Sequence, residues 1–335
     1  MHSGNYTILS VYSHKGGVGK TTAVDVIRGA VLSSDPFGPR LKYRKALLLD
    51  IDTQMNLTCK LLQSEENFQE YFESLEDIND FKRNVSNADI KTKLARLLNY
   101  NTRNNINPNP IVIQQESGVR GRRVDLIPGY PELQQLSKQM ALELDQPGAP
   151  LNVCKAFQNL IQEYVNAFGY DLVVLDLGPD LYTINSCALW TSDFVLIPCT
   201  ADIYSAMSFR LIANTIFPKD GDPTHAYNRF GSKLRVLGFL PNRVKVREDL
   251  PTIAQQNGIA KLEAKFAHHL LPYFHGLMQF ENEVGTHPCY IPLIGRDLVD
   301  NEACSLLELT VHDAEARQRL KKQLWKLIRW LNEVL

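Results

Sequence analysis

The chain has 335 residues, of which 44% are hydrophobic and 22% are charged, as in ordinary globular proteins. A formal net charge of −1 excludes a global basic field, so any nucleic-acid contact must come from a local patch. The six cysteines are scattered without a C-x-x-C pair, which argues against zinc, disulfide and iron–sulfur sites. No apolar run approaches the roughly 18 residues of a membrane span and no signal peptide precedes the first strand, so we expect a reduced, cytoplasmic protein.

A glycine-rich turn separates the first predicted strand, Thr7–Ser13, from the first predicted helix, Thr21–Leu32. It fits the P-loop pattern G-x-x-x-x-G-K-S/T only if the first glycine position, here His14, is relaxed. Glycines let backbone N–H groups curl around a phosphate, and the following helix adds the positive end of its dipole. The pattern therefore predicts that ATP is bound by Gly16, Gly17, Val18, Gly19, Lys20, Thr21 and Thr22.

Two side chains of this turn add specific chemistry. Lys20 supplies a point charge for the β- and γ-phosphates, and Thr21 supplies a hydroxyl for Mg²⁺. The alternative is a strand-to-helix turn with an incidental lysine, but the strand–loop–helix context favours the P-loop.

The second predicted strand, Ala46–Asp50, is apolar until it ends in a pair of carboxylates, Asp50 and Asp52. Ligands of parallel sheets bind at the carboxyl ends of the strands, so these side chains are expected near the phosphates. Each could instead cap the next helix. Residues 59–123 are the least informative part of the chain, with a predicted short helix at Asp89–Leu98 and a basic turn at Gly118–Arg123.

The second half of the chain alternates strands and helices. A hydrophobic strand from Leu172 ends in Asp176, which is the Walker B arrangement and predicts a carboxylate for Mg²⁺. The other predicted strands are Val124–Pro128, Asp193–Pro198, Leu234–Arg243 and Cys289–Leu293. The predicted helices are Pro131–Leu144, Leu151–Phe168, Ile203–Phe217, Glu248–Leu271, Leu298–Thr310 and Ala314–Leu335. This alternation predicts an α/β fold with a doubly wound, mostly parallel sheet flanked by helices, in one domain covering residues 1–335.

The string Lys-Gly-Gly-Val-Gly-Lys-Thr-Thr, opened by Lys15, resembles the deviant Walker A motif of the ParA/MinD family of P-loop ATPases. The segment from Asp50 to Thr58 looks like the second motif of that family, D-x-D-P-Q-x-N-x-T, with Thr53 in place of the proline. Gly178-Pro179 occupies the position of a switch turn that is usually Pro-Pro. The resemblance covers nearly the whole chain. It is strongest at residues 7–58 and 170–243 and weakest at 59–123 and 244–290.

The resemblance implies a P-loop NTPase fold and specific roles. Lys15 would reach across a nucleotide-sandwich homodimer to the phosphates of the partner, and Asp52 would position or activate the attacking water. Asp50 would support the Mg²⁺ shell. Asn242, at a strand end, would hydrogen-bond the adenine edge, although an ordinary turn-forming asparagine is an equal alternative.

The implied function is an ATP-dependent dimerising switch that positions DNA or protein cargo, with an adaptor protein that stimulates hydrolysis. An ATPase subunit of a defence or regulatory operon would have the same core. A small-molecule ligase or kinase on this scaffold is the alternative from another class; Lys15 and the segment Asp52-Thr53-Gln54 argue against it.

Two surfaces are candidates for binding DNA or a membrane. A basic cluster of Arg243, Lys245 and Arg247 is a candidate for non-specific DNA binding, although most charge clusters are solvated faces. The helix Arg317–Leu335 is amphipathic and cationic, which would suit a membrane surface. Ordinary core packing explains the same pattern, so membrane binding is not favoured.

Overall fold

A computed structural model describes the fold of most of the chain. The described residues are 6–33, 40–62, 111–115, 121–129, 133–144, 152–181, 183–219, 222–247, 250–274, 291 and 314–335.

The centre of the fold is a seven-stranded sheet in the order β3-β4-β2-β5-β1-β6-β7. Six strands are parallel, and β3 pairs antiparallel with β4 at one edge. The apolar residues of the six parallel strands are buried almost throughout, as expected where helices cover both faces. The strands are β1 (Thr7–Val11), β2 (Lys45–Ile51), β3 (Ile111–Gln115), β4 (Arg123–Ile127), β5 (Leu172–Leu177), β6 (Phe194–Cys199) and β7 (Arg235–Pro241).

Helices lie on both faces of this sheet. One hydrophobic core contains apolar side chains of α1, α2 and α9, and the other contains those of α3, α4, α5, α6 and α8. The helices are α1 (Lys20–Leu32), α2 (Asn56–Leu62), α3 (Leu133–Leu144), α4 (Asn152–Phe168), α5 (Thr183–Thr191), α6 (Ile203–Thr215), α7 (Ala226–Phe230), α8 (Ile253–Leu270) and α9 (Ala314–Val334). The predicted doubly wound, mostly parallel α/β fold is confirmed.

The structure differs from the predicted elements at two places, and some predicted elements lie outside the described residues. The edge strand β3 was not predicted. The helix predicted from Glu248 begins at Ile253, because a short hairpin of β8 (Val246–Arg247) and β9 (Leu250–Pro251) precedes it. The predicted elements Asp89–Leu98 and Leu298–Thr310 lie outside the described residues, as does Cys289–Leu293 apart from Ile291. Ile291 N donates to the carbonyl of Pro241, at the end of β7.

The terminal helix α9 uses its apolar face in the core. Leu324, Leu327, Ile328 and Leu331 are buried there beside the apolar side chains of α1. Burial of each such side chain stabilises the fold by about 1.5–3 kcal/mol. The apolar face of this helix therefore packs in the core, as the alternative to a membrane-surface helix predicted. Across the described residues, no helix has the length and hydropathy needed to span a bilayer.

Candidate nucleotide site

The glycine-rich turn closes tightly between β1 and α1. Lys20 is the first residue of α1, and Gly17 and Gly19 before it have φ values of +68° and +94°. A Cβ atom on Gly19 would lie 1.8 Å from Nδ2 of Asn242, so only glycine fits this position as the chain is folded.

Asn242 braces this loop from the end of β7. Its Nδ2 donates to the carbonyl of Val18 at 2.9 Å, and its Oδ1 accepts from the backbone N–H of Arg243 at 2.8 Å. The residue is 5% exposed. The side chain predicted to bind adenine therefore contacts the P-loop backbone in this structure.

Lys20 is buried among carboxylates. Burial lowers the pKa of its ammonium group, and the negative charges of Asp176, Asp52 and Asp180 oppose that shift. A cation held this way is desolvated before any ligand arrives, so its attraction for a phosphate is weakened little by water.

Thr21 and Asp176 form the predicted metal-binding pair. The Thr21 hydroxyl donates to Asp176 Oδ2 at 2.9 Å. Asp176 Oδ1 is buried and has no hydrogen-bond partner among the described residues. Burial, then the neighbouring Asp50, raises the pKa of Asp176 well above its usual range, while the Thr21 hydrogen bond and Lys20 oppose this. A divalent cation would neutralise this carboxylate, and oxygen ligands are those that Mg²⁺ prefers, so the residues fit the ion.

Asp50 lies beside Asp176 in the register of β2 and β5, but both of its oxygens accept hydrogen bonds from the chain. Oδ2 accepts from the N–H and the hydroxyl of Thr58 at 2.8 and 2.7 Å, and Oδ1 accepts from Asp52 N at 3.1 Å. Burial raises the pKa of Asp50 to about 7, although the Thr58 hydrogen bonds oppose the shift. Asp50 thus ties the β2–α2 turn together and fixes the backbone that presents Asp52.

Asp52 lies at the same edge, 3% exposed. Its Oδ1 accepts from Gln54 N at 3.0 Å, and its Oδ2 accepts from Asn56 Nδ2 at 3.1 Å. A Cβ atom on Gly178 would lie 3.4 Å from both Asp52 Oδ1 and Asp180 Oδ2, so the turn at Gly178 brings a second carboxylate close to Asp52.

Asp180 was not among the predicted site residues. Asn185 on α5 holds it, donating from Nδ2 to the Asp180 backbone carbonyl at 3.0 Å and to Oδ1 at 2.8 Å. Its position directly after Gly178-Pro179 was the available sequence signal.

Lys15 points to a different part of the site. Its Nζ donates to Thr200 Oγ1 at 2.8 Å and to Asp202 Oδ2 at 2.5 Å, and it lies 6.0 Å from the ring centre of Tyr204. The Lys15 side chain is 31% exposed. Sequence reasoning missed Thr200 and Asp202, because only the fold brings the β6–α6 turn beside residue 15.

The structure places the basic residues Arg243, Lys245 and Arg247 in two locations. Arg243 Nη1 donates to the Gly17 carbonyl at 3.5 Å, beside the P-loop. Lys245 and Arg247 lie further on, both exposed, before and within the β8–β9 hairpin. The cluster therefore begins at the nucleotide loop and extends onto a surface hairpin.

Known proteins resemble this chain in sequence and in fold. A family model described as an AAA domain matches residues 6–218. Over 212 residues the chain is 26% identical to the sporulation initiation inhibitor protein Soj of Bacillus subtilis, covering 62% of this chain and 64% of Soj. A plasmid partition protein from Borrelia burgdorferi B31, bound to AMPPNP, matches at 19% identity with a TM-score of 0.56, covering 98% of this chain and 99% of that one.

The structure of pNOB8 ParA bound to nonspecific DNA also has this fold. Its TM-score is 0.53 at 19% identity, over 98% of this chain and 96% of that one. Together with the P-loop at Lys15–Thr22 and the carboxylates at the ends of β2 and β5, the family match places this chain in the AAA-domain family, as a P-loop ATPase of the ParA/MinD type.

Proposed function

We propose that this protein is a switch ATPase that dimerises with ATP, hydrolyses it to ADP and phosphate, and thereby positions DNA or protein cargo. The observation that carries the proposal is the contrast between two lysines of one loop. Lys20 is buried against the carboxylates of its own subunit, whereas Lys15 is bonded to the β6–α6 turn and is partly exposed.

Nucleotide binding rests on the P-loop. The backbone N–H groups from Gly16 to Thr22 surround the phosphates, and Lys20 supplies the charge that offsets them. Asn242 holds the loop in shape through the Val18 carbonyl, so the N–H groups need little rearrangement when ATP binds.

Thr21 and Asp176 would hold Mg²⁺, with Asp50 supporting that pair from the neighbouring strand. When bound, the ion would neutralise charge on the phosphate oxygens. Among the described residues no group of three or more His, Cys, Asp or Glu could hold a metal ion. Mg²⁺ is commonly held by one or two carboxylates together with substrate phosphates, a role that Asp176 could fill.

Asp52 is the residue that we assign to the attacking water. Its carboxylate is held by Gln54 and Asn56 at the edge where the γ-phosphate would lie. A carboxylate fixed in this way can orient the water and accept its proton as the bond to phosphorus forms. Hydrolysis would then remove the γ-phosphate contacts that hold two subunits together.

A DNA surface would begin at Arg243 and extend to Lys245 and Arg247. The location suits nucleotide-dependent binding, because Arg243 contacts the P-loop at Gly17. The described DNA complex of pNOB8 ParA, a protein of the same fold, supports a nucleic-acid partner. Charge reversal at Lys245 and Arg247 should abolish ATP-dependent DNA binding and leave ATP hydrolysis intact, while parental binding weakens steeply with salt. DNA affinity that survives the reversal would place the surface elsewhere.

The proposed function is tested with Asp52→Ala. The variant should keep its affinity for ATP, lose turnover by about 10²-fold or more and accumulate as a dimer with Mg²⁺ and ATP. ATPase assays and analytical ultracentrifugation of parent and variant measure both effects. Parental turnover in the variant would show that Asp52 is only structural. Turnover without any ATP-dependent dimer in the parent would favour a small-molecule enzyme. An adaptor can be sought afterwards as a protein that accelerates turnover only of the dimer.

A further inference from the structure

A buried ion cluster joins α1 to α2 outside the nucleotide loop. Asp25 on α1 is fully buried, and its Oδ1 accepts from Arg28 Nε at 2.9 Å. Lys60 on α2 places its Nζ 2.9 Å from the other carboxylate oxygen, Asp25 Oδ2. The side chains of Arg28 and Lys60 are 5% and 25% exposed. One carboxylate is therefore shared by a cation of its own helix and a cation of the neighbouring helix.

The pairing of Lys60 with Asp25 is a specific link between the two helices. Water reaches only the lysine, so the attraction is screened less than it is between two exposed charges. Asp25 already has a partner of opposite charge in Arg28, three positions further along α1. Lys60 is thus not required to neutralise the buried carboxylate, and what it adds is a connection between α1 and α2.

Both helices begin at the candidate nucleotide site. α1 starts with Lys20, and Asp25 follows five positions later. α2 starts with Asn56, whose Nδ2 donates to Asp52 Oδ2 at 3.1 Å. Lys60 is four positions after Asn56, so the two side chains lie on the same face of α2. The ion pair therefore fixes α2 against α1 one turn behind the residue that holds Asp52.

Other contacts of α2 are made to the sheet and to the apolar core. Thr58 donates from its N–H and its hydroxyl to Asp50 Oδ2, at the end of β2. Leu57 and Leu61 are buried in the core that also contains the apolar side chains of α1. Apolar packing is not directional, so the ion pair adds a defined contact point between the two helices.

We infer that Lys60 is a positioning residue for ATP hydrolysis, which through Asp25 holds α2, and with it Asn56 and Asp52, in a fixed place relative to the phosphate-binding loop. The inference rests on the proposed function, in which Asp52 orients the attacking water. A shift of about 1 Å in a reacting group can lower a rate by about 10²-fold. ATP affinity rests on the loop itself, at the start of α1. Loss of the link should therefore lower turnover and spare ATP binding.

The test variant is Lys60→Met, because methionine has a similar length and the Asp25–Arg28 pair stays balanced in charge. With Mg²⁺ and ATP, kcat should fall roughly three- to thirty-fold, while the Kd for ATP stays within about two-fold of the parental value. Lys60→Arg keeps the cation and should recover most of the lost turnover. Urea denaturation shows that each variant is folded under the assay conditions.

Lys155→Met is the matched control. Lys155 is an exposed lysine of α4 and forms no ion pair with another described residue. Its replacement removes the same charge from a helix surface without breaking a link, so both kcat and the Kd for ATP should stay parental.

A double substitution tests whether Lys60 acts through Asp52. A protein that already carries Asp52→Ala has no carboxylate to misplace, so adding Lys60→Met should change the residual rate by less than about two-fold. A general weakening of the fold or of the loop would instead lower the rate by the same factor in both backgrounds. Single-turnover measurements with protein in excess over ATP resolve these low rates.

The outcomes separate the inference from the proposed function. If the parent does not hydrolyse ATP, or Asp52→Ala does so at the parental rate, both are overturned. If Asp52→Ala is impaired, three results overturn the inference alone and leave Lys60 a role only in stability. These are parental kcat in Lys60→Met, a loss of ATP affinity as large as the loss of kcat, and an equal effect of Lys60→Met in the Asp52→Ala protein.

Discussion

Lys15 and Lys20 lie five residues apart in the sequence, and they differ in their exposure to solvent and in the groups that surround them. Lys20 is 7% exposed as a residue, and the charges that act most strongly on its ammonium group are those of Asp176 and Asp52, at the ends of β5 and β2. Lys15 has a side chain that is 31% exposed, and it bonds to the turn after β6. The first lysine is buried within the fold, whereas the second is held by contacts that are partly exposed to solvent.

The difference extends to the regions around each lysine. Near Lys20 the carboxylates are buried and each is tied by specific donors, as Asp50 is by Thr58. Near Lys15, the first turns of α6 expose Ile203, Tyr204 and Met207 by 58%, 69% and 64%. One side of the loop is thus fixed by buried hydrogen bonds, and the other presents partly exposed polar and apolar groups to solvent.

The largest effect is expected from Lys20→Ala. Removing the ammonium group leaves the phosphate charge without its buried partner, so ATP affinity should fall by about 10²-fold or more. Isothermal titration calorimetry measures this, with exposed Lys138→Ala on α3 as the matched control. Unchanged affinity in Lys20→Ala would contradict the assignment of the loop.

Two glycine substitutions separate strain from collision in the same loop. Gly17→Ala places alanine at φ +68° with no atom within 4 Å, so it should lower the free energy of unfolding by about 1–2 kcal/mol. Gly19→Ala adds a collision with Asn242 at 1.8 Å to a comparable φ strain, and should cost about 3 kcal/mol or more. Urea denaturation gives both values. Equal losses would mean that Asn242 does not press against the loop in solution.

A smaller effect concerns the pH dependence of stability without nucleotide. Because burial raises the pKa of Asp50 to about 7, the folded protein holds a proton that the unfolded chain, with an aspartate pKa of about 3.9, has lost. The free energy of unfolding should therefore fall by about 1 kcal/mol as pH rises from 6 to 8. Denaturation at the two pH values tests this. Asp50→Asn should reduce the loss, and Asp222→Asn should not, since the lowered pKa of Asp222 lies below this window. A parental stability that rises over the same interval would contradict the prediction.

The main sheet was predictable from sequence because its strands are continuous apolar runs that end in turn or charged residues. The runs before Asp50 and Asp176 are examples, and the register later places those two residues side by side. The antiparallel edge strand β3 was missed because it lies in the least regular part of the sequence. The β8–β9 hairpin was missed because its strands have two residues each, too short for periodicity to appear.

Site residues could be predicted where a local sequence motif specifies them, and less so where a contact joins residues that are far apart in the sequence. The Thr21–Asp176 pair could be expected from the P-loop and Walker B patterns, and the structure brings the two residues into contact. The contacts of Asn242 with Val18 and of Lys15 with Asp202 join residues separated by 224 and 187 positions. No local pattern specifies such contacts, since they depend on which strand ends meet at one edge of the sheet.

The most direct test of the account is ATP-dependent dimerisation of Lys15→Gln. Glutamine keeps much of the length of lysine without its charge, so the variant should bind ATP as a monomer with parental affinity. Because Lys15 is proposed to act on the phosphates of a partner, dimerisation and hydrolysis should be lost together. Analytical ultracentrifugation with Mg²⁺ and a slowly hydrolysed ATP analogue, alongside an ATPase assay, measures both properties. The account predicts a monomer without turnover; a Lys15→Gln protein that dimerises and hydrolyses ATP like the parent would contradict it.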